Sequence, residues 1–491
     1  MSPDVDPSSW EKRAVWTPRS GEVVASRRPQ RDPGSGEIIC EVAEAAPEEV
    51  KTWATRVAEG YWDSGLWPLA QRREWLVRLA DFVEASAESL GRLDSRCTGK
   101  LLSEGVRTAR SGATLLRYFA GLLDENVFHR ALNPVSPSVS QWVDRLPVGV
   151  IACILPWNYP VSQACARVAM LLASGNAVIL KGSELAQPPL VALAELAGQA
   201  RIPEFALSVV TGGPDAGATL VGHPDVDGIC FTGGVPTGIR VAAESSVSLK
   251  RTVLELGGKT PDIVLVDADL GSAVEGLIAA SFRNQGQVCS AAANIFVERP
   301  RYEEFVDALA KRTERLKVGY QLAPDTDLGP VISEEAKVRI EAMIQDAISS
   351  GATVLARSGG GSDLPRKGYY VPATLLADVP STCRLASEET FGPVTVVAPF
   401  DDLEEVVHGV NASEYGLAAG VWGGYQGRAT HLAQQLRAGV IWLNCHGPIP
   451  PNAPWGGFRL SGLGRLYGLD GLLAFTEARA TYELAPGVSK Q

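Results

Sequence analysis

The chain lacks the residue groupings that announce metal, membrane or nucleic-acid chemistry. Its eight cysteines (Cys40, Cys97, Cys153, Cys165, Cys230, Cys289, Cys383 and Cys445) are scattered through 491 residues without a Cys-x-x-Cys pair. No histidine lies at ligand spacing from them, so neither a metal site nor a disulfide framework is expected, and a reducing compartment, the cytoplasm, is the reading for location. No apolar run is long enough to span a bilayer. The opening Met1-Ser2-Pro3-Asp4-Val5-Asp6-Pro7 is acidic and lacks the apolar stretch of a secretory leader. Lysine and arginine form no block and the formal net charge is -11, which argues against nucleic acid or an anionic membrane as the main partner.

What remains is the composition of a globular protein, with 45% hydrophobic and 21% charged residues. At 491 residues the chain exceeds one simple core, so two or three domains are expected. Its 50 glycines point to tight turns and close backbone approaches.

Residues 1–35 are polar and Pro-rich, and read as an extended arm or short edge strands. From Pro47 to about Ala120 apolar side chains recur at three- and four-residue spacing, as between Trp75 and Glu84, which predicts helices. Leu132 to Pro147 alternates and contains prolines, which suits a projecting hairpin better than a core strand. From Val148 short apolar strands alternate with helices: strands at 148–155, 177–181, 207–211 and 228–232, helices at 161–173, 188–200 and near 217–222. That alternation predicts a parallel sheet covered on both faces, with ligands beyond the carboxyl ends of its strands. A second α/β unit follows Gly257, with strand candidates at 263–266, 295–297, 394–397 and 440–443 and helices at 301–318 and 334–350; residues 357–366 read as a surface loop.

Polar residues at the strand ends are the candidates for chemistry. Phe231-Thr232-Gly233-Gly234-Val235-Pro236-Thr237-Gly238 follows a strand and opens a helix, where free N–H groups and the helix dipole suit a phosphate. It is not a GxGxxG fingerprint, and a plain strand-to-helix turn reads the same way. Lys181-Gly182-Ser183-Glu184 also ends a strand. Its lysine can bond ribose hydroxyls and its glutamate would repel a 2′-phosphate, favouring NAD over NADP, although an ordinary solvated ion pair has the same spacing. In Pro156-Trp157-Asn158-Tyr159-Pro160 the asparagine is placed either to donate to an oxyanion or simply to form a turn. Cys289 follows Asn284-Gln285-Gly286-Gln287, a polar approach that argues for an accessible thiol, whereas the other seven cysteines read as small buried hydrophobes. Glu255, in a glycine-punctuated turn between Leu254 and Leu256-Gly257-Gly258, reads as a partly desolvated carboxylate suited to base work near neutral pH.

Taken in order, these segments resemble the NAD(P)-dependent aldehyde dehydrogenase superfamily from about Pro33 to Thr476, together with Glu388-Glu389-Thr390-Phe391-Gly392-Pro393-Val394 and the stretch from Pro454 to Arg465. The resemblance implies an α/β fold with a Rossmann-like parallel-sheet cofactor domain (1–128 and 148–256), a second α/β catalytic domain (257–460) and a small β oligomerisation arm (129–147 and 475–491). It implies Cys289 as nucleophile, Glu255 as general base, and Asn158 with the Cys289 backbone N–H as oxyanion hole. For NAD, with NADP disfavoured, it implies Lys181 and Glu184 at the adenosine ribose and Gly233 and Gly234 at the pyrophosphate. Trp157, Gly238 and Leu256 would line the same crevice, with Glu389 at the nicotinamide ribose and Phe391 beside that ring. The family implies a homodimer or homotetramer and no metal.

Several positions depart from the family pattern. Gly234 stands where many members have Ser, Gly182 where Pro is commoner, and Arg167 and Leu466 where many hydrolytic members have Lys and Glu, so the proton relay of that pair is not preserved as such. Tyr159, Trp442, Asn444-Cys445 and Trp455 resemble the betaine-aldehyde and aminoaldehyde branch, which makes Tyr159, Cys445 and Trp455 candidate substrate contacts and an aromatic cage for a cationic aldehyde an expectation. Asp124 and Glu125 would add negative charge, while Ala166 stands where that branch has a further aromatic. Two alternatives share the scaffold: a CoA-acylating semialdehyde dehydrogenase, against which Glu255 counts, and a non-catalytic binding protein, against which Cys289, Glu255 and Asn158 count.

Overall fold

Two largely parallel sheets form the body of the protein. The computed structural model describes residues 26–134, 138–359, 367–424 and 427–484, with Trp10, Arg13, Val15–Trp16 and Ser136. Most of the expected N-terminal arm, the loop tip at 360–366 and the end of the C-terminal arm at 485–491 lie outside these residues.

The first sheet runs Leu207–Val210, Ala177–Lys181, Val150–Ile154, Gly228–Thr232 and Arg251–Glu255, all parallel, with the short Gly462–Leu463 antiparallel at its edge. Its inner strands are apolar on both faces because helices cover both sides. The crossover helices Pro160–Ala173, Pro188–Gln199 and Pro214–Gly222 each start on a proline, whose fixed φ and missing N–H suit a first helical turn. The chain enters at Val150–Ile154, builds outward to one side, then returns to Gly228–Thr232 on the other. Strand order therefore reverses between these two neighbours, and a crevice opens at their carboxyl ends.

The second sheet runs Thr353–Arg357, Thr374–Ala377, Val394–Phe400, Ala292–Glu298, Thr260–Val264, Ala418–Trp422 and Val440–Leu443, parallel apart from its first strand. The core of the first sheet extends to Leu417, Trp442, Trp455 and Leu466, so the two units share packing beside the crevice. A third, small sheet pairs Thr476–Leu484 antiparallel with Val139–Pro147, and His129–Ala131 completes it. The hairpin expected before Pro147 is thus the middle of a sheet that also holds the C-terminal strand. The expected helical region resolves into Pro47–Ser64, Leu69–Ala85, Ala87–Thr98 and Leu102–Gly121.

One placement needs correction. Glu255 is not in a turn but is the last residue of a strand, in register with Thr232. Arg251-Thr252-Val253-Leu254-Glu255 is too short and too polar at its ends to stand out beside the glycines that follow.

Candidate active site

The thiol loop is held by unusual backbone and buried amides. After helix Leu270–Phe282, Asn284 (φ 49°), Gln285 (φ 58°) and Gly286 (φ 66°) are all left-handed. A Cβ on Gly286 would stand 2.1 Å from the Gly392 carbonyl oxygen, so only glycine fits. Asn284 Nδ2 donates to Asn158 O at 3.2 Å, Gln287 Nε2 donates to Asn284 O at 3.2 Å, and Gln287 Oε1 accepts from Ile332 N at 2.9 Å. The polar run before Cys289 is therefore buried scaffolding rather than a sign of solvent. The thiol itself is half-buried and faces the crevice. From behind, His446 Nε2 lies 2.8 Å from Ser290 O while its Nδ1 pairs with buried Asp262 at 3.1 Å. The sequence reading did not anticipate this brace, since a lone histidine beside an exposed cysteine carries no local signal.

Glu255 lies beside that thiol, 3% exposed. Burial raises its pKa, and Arg167, then Trp455, Cys289 and Thr232, pull it back only in part. Its Oε1 makes no hydrogen bond of normal geometry. Arg167 reaches it from helix Pro160–Ala173, with Nη2 3.9 Å from Glu255 Oε2, and donates to Thr232 Oγ1 at 3.1 Å and to the Tyr467 hydroxyl at 3.3 Å. Leu466, 1% exposed, offers the guanidinium no competing carboxylate. Burial lowers the Arg167 pKa, but Tyr467, Cys230, Glu255 and Cys153 more than offset it and the cation is held firmly.

The Asn158 amide is oriented at both ends. Gln163 Nε2 donates to its Oδ1 at 3.2 Å and its Nδ2 donates to Gln287 O at 3.0 Å, which turns the N–H end toward the Cys289 loop with one hydrogen left over.

Asn158, Glu255 and Cys289 line one cavity of about 180 Å³ with Trp157, Thr232, Gly233, Gly234, Leu256, Gly257, Glu389 and Phe391. The rings of Trp157 and Phe391 meet edge to face at 5.4 Å and 89°. Phe391 is held at φ 47°, a conformation that costs a non-glycine residue energy and recurs at functional sites. Glu389 accepts from Gly258 N at 3.2 Å, and a Cβ on Gly257 would sit 2.1 Å from its Oε2. Burial, opposed by the Gly258 hydrogen bond, pushes its pKa up to about 7. Neighbouring Lys259 is lowered to about 8, chiefly by burial.

The surroundings fit a dinucleotide. Gly234 caps helix Val235–Ser246 without any side-chain acceptor; Pro236 has no N–H and the Thr237 and Gly238 N–H groups donate to Gly234 O, so the turn offers an anion the Val235 N–H and the helix dipole, and nothing but Pro236 Cδ at 4.0 Å stands where a Gly234 Cβ would be. Gly238 packs on Leu256. Lys181 and Glu184 stand 3.8 Å apart at the carboxyl end of Ala177–Lys181.

The candidate substrate contacts fall differently. Tyr159 is engaged by the protein itself: the Lys100 ammonium lies 4.6 Å above its ring and its hydroxyl donates to Glu104 Oε1 at 2.9 Å. Trp455 is buried and helps lower the Glu255 pKa, and Trp442 is buried with its indole N–H on Pro448 O at 3.0 Å. Asp124 accepts from Asn126 at 2.8 Å, and the Glu125 side chain lies outside the described atoms. Cys445 is exposed, which corrects its reading as a buried hydrophobe; the six other cysteines apart from Cys289 are buried. Among the described residues no cluster suited to a metal occurs, and no helix is long and apolar enough to cross a membrane.

Comparison with known proteins agrees with this geometry. The profile described as "Aldehyde dehydrogenase family" matches residues 19–481. The phenylacetaldehyde dehydrogenase of Pseudomonas fluorescens is 38% identical, with 91% of each chain covered. A betaine aldehyde dehydrogenase of Rhizobium leguminosarum bv. trifolii is 37% identical, with 92% of each covered. Among solved structures, an NAD⁺ complex of aldehyde dehydrogenase from Bacillus cereus superposes with a TM-score of 0.92 at 32% identity, covering 99% of this chain and 100% of that one.

Proposed function

This chain belongs to the aldehyde dehydrogenase family and oxidises an aldehyde with NAD, and on that premise we propose how its residues divide the work. The reading rests on one observation: a thiol, a buried carboxylate and an oriented amide line the same cavity as the dinucleotide-type crevice.

At rest the Cys289 thiol is protonated, because burial and the charges of Glu255 and Glu389 push its pKa well up. Glu255 accepts that proton as the sulfur attacks the carbonyl carbon. The carbonyl oxygen becomes an oxyanion that accepts from the free Asn158 Nδ2 hydrogen and from the Cys289 backbone N–H, each donor contributing roughly 3 kcal/mol. When bound by Lys181, Glu184, Gly233, Gly234, Gly238, Leu256 and Glu389, with Trp157 and Phe391 flanking, NAD supplies the acceptor for the hydride of the tetrahedral adduct. Cys289 is then left as a thioester. Glu255 passes its first proton to solvent and takes another from the water whose oxygen attacks the thioester carbon; the C–S bond then breaks, the carboxylic acid leaves, and Glu255 returns that proton to the Cys289 sulfur. Dividing the oxidation at a covalent intermediate replaces one hard step with two easier ones.

By the same reading, residues 1–128 and 148–256 form the NAD-binding domain, 257–460 the catalytic domain, and 129–147 with 475–491 the arm that joins two or four copies. The exposed Tyr482 and Leu484 on the edge strand Thr476–Leu484 support the arm's role. The test is NADH formation from a panel of aldehydes without CoA. Acid product in the absence of CoA is expected; a strict need for CoA would replace the hydrolytic step, and no NADH from any aldehyde would overturn the assignment.

A further inference from the structure

The loop that leaves the last strand of the second sheet is pinned at both ends. Asn444, left-handed at φ 53°, donates from its backbone N–H to Val421 O at 2.9 Å, and its Oδ1 accepts from Gly423 N at 2.8 Å. Trp442 Nε1 donates to Pro448 O at 3.0 Å and closes the loop from the other side. His446 stands between these ties, its ring centre 4.3 Å from that of Trp442 and its side chain 2% exposed.

Both ring nitrogens of His446 face acceptors. Ser290 O can only accept, so Nε2 carries a hydrogen and donates to it at 2.8 Å. Nδ1 lies 3.1 Å from the fully buried Asp262 carboxylate, so a second proton lies between the two groups and the ring keeps one orientation. Asp262 is itself fixed: its Oδ1 accepts from Trp422 Nε1 at 2.9 Å, and a Cβ on Gly420 would stand 1.8 Å from the same oxygen. A buried carboxylate needs a partner, and that need accounts for Nδ1. It does not account for Nε2, which reaches the residue directly after the nucleophile.

Resting on the proposed aldehyde chemistry, we propose that His446 is a positioning residue for the nucleophile: its Nε2–H holds the Ser290 carbonyl and thereby sets where the Cys289 sulfur and backbone N–H stand. Asn284 and Gln287 hold the loop before Cys289, and His446 holds it after. Attack requires the sulfur, that N–H and the Asn158 amide to converge on one carbonyl group, and a misplacement of about 1 Å can cost roughly a hundredfold in rate.

The experiment follows the NADH burst, the affinity for NAD and Tm in three variants of the full-length enzyme, using an aldehyde that the wild type oxidises. Glutamine places an amide N–H near Nε2 and can replace the bond to Ser290. Asparagine places one near Nδ1 and can replace only the bond to Asp262. Phenylalanine keeps a ring on Trp442 and replaces neither. H446N and H446F should slow the burst by about ten- to a hundredfold with NAD affinity unchanged, and H446Q should recover most of the rate. A residue that only neutralised Asp262 would give the opposite order, with H446N the best of the three in rate as well as in Tm. A folded H446N with the wild-type burst, or an H446Q no faster than H446N, would overturn the proposal. If H446F does not fold, H446N and H446Q still decide, since each keeps one bond. No NADH from any aldehyde with the wild type would instead sink the reading beneath it.

Discussion

Arg167 Nη2 stands 3.9 Å from Glu255 Oε2, with the arginine 2% and the glutamate 3% exposed. The departure from the family pattern at Arg167 and Leu466 thus does more than break a relay. With Leu466 apolar, the cation has no late carboxylate to serve and acts directly on the base. Burial raises the Glu255 pKa and Arg167 is the largest force bringing it down. Removing it should push the base further up, because the ionised form loses its nearest opposite charge.

R167M is therefore expected to move the alkaline-rising limb of acid release to higher pH. R167K should retain most of the effect but lose the bonds to Thr232 and Tyr467. The pH dependence of steady-state turnover, measured alongside the NADH burst, checks this. A midpoint unchanged in R167M would show that Arg167 only fills space.

Cys289 and Glu255 should separate kinetically. C289A is expected to lose oxidation by several orders of magnitude, since no other group can carry the acyl intermediate. E255Q should retain a burst of NADH followed by slow turnover. A thiol is a far stronger acid than water, so losing the base harms attack by water on the thioester more than attack by sulfur on the aldehyde. Rapid-mixing measurement of NADH shows which step has slowed, and equal slowing of both phases would count against the assignment.

Glu389 offers a pH test of cofactor binding. Its pKa of about 7 arises chiefly from burial, and it accepts bonds from ribose hydroxyls best when ionised. Affinity for NAD should then be full above about pH 7 and fall as pH drops below it, approaching tenfold per unit once the carboxyl is mostly protonated. E389Q should bind more weakly and lose most of that slope. Titration calorimetry between pH 6 and pH 8 tests both, and a flat wild-type profile would remove Glu389 from the ribose.

The sequence made the first sheet legible because its strands are buried on both faces and bounded by glycine or proline; Ala177–Lys181 and Gly228–Thr232 fall where their apolar runs predict. Strands with polar ends, such as Arg251–Glu255, or an edge position, such as Thr353–Arg357, carry no such contrast. The site residues were legible as segments but not as roles. Nothing local distinguishes Gln285 and Gln287 as buried loop supports, or joins His446 to Asp262 184 residues away. Trp455 has the composition of a cage residue, yet it helps lower the pKa of the base. These contacts depend on which loops the two sheets bring together, which spacing along the chain does not encode.

Glu184 tests cofactor choice. It stands 3.8 Å from Lys181 at the carboxyl end of a central strand, with its side chain 29% exposed, so its charge is close to a ribose held there yet partly screened. A 2′-phosphate placed beside it would meet like charge, whereas a 2′-hydroxyl would find an acceptor. E184A should therefore weaken NAD modestly and improve NADP, narrowing the ratio of their kcat/KM values by about tenfold, with a smaller effect at high salt. E184Q separates the two contributions: it keeps an acceptor for the hydroxyl and removes the repulsion, so it should gain NADP while losing less NAD than alanine does. Unchanged discrimination in both variants would move selectivity away from this strand end.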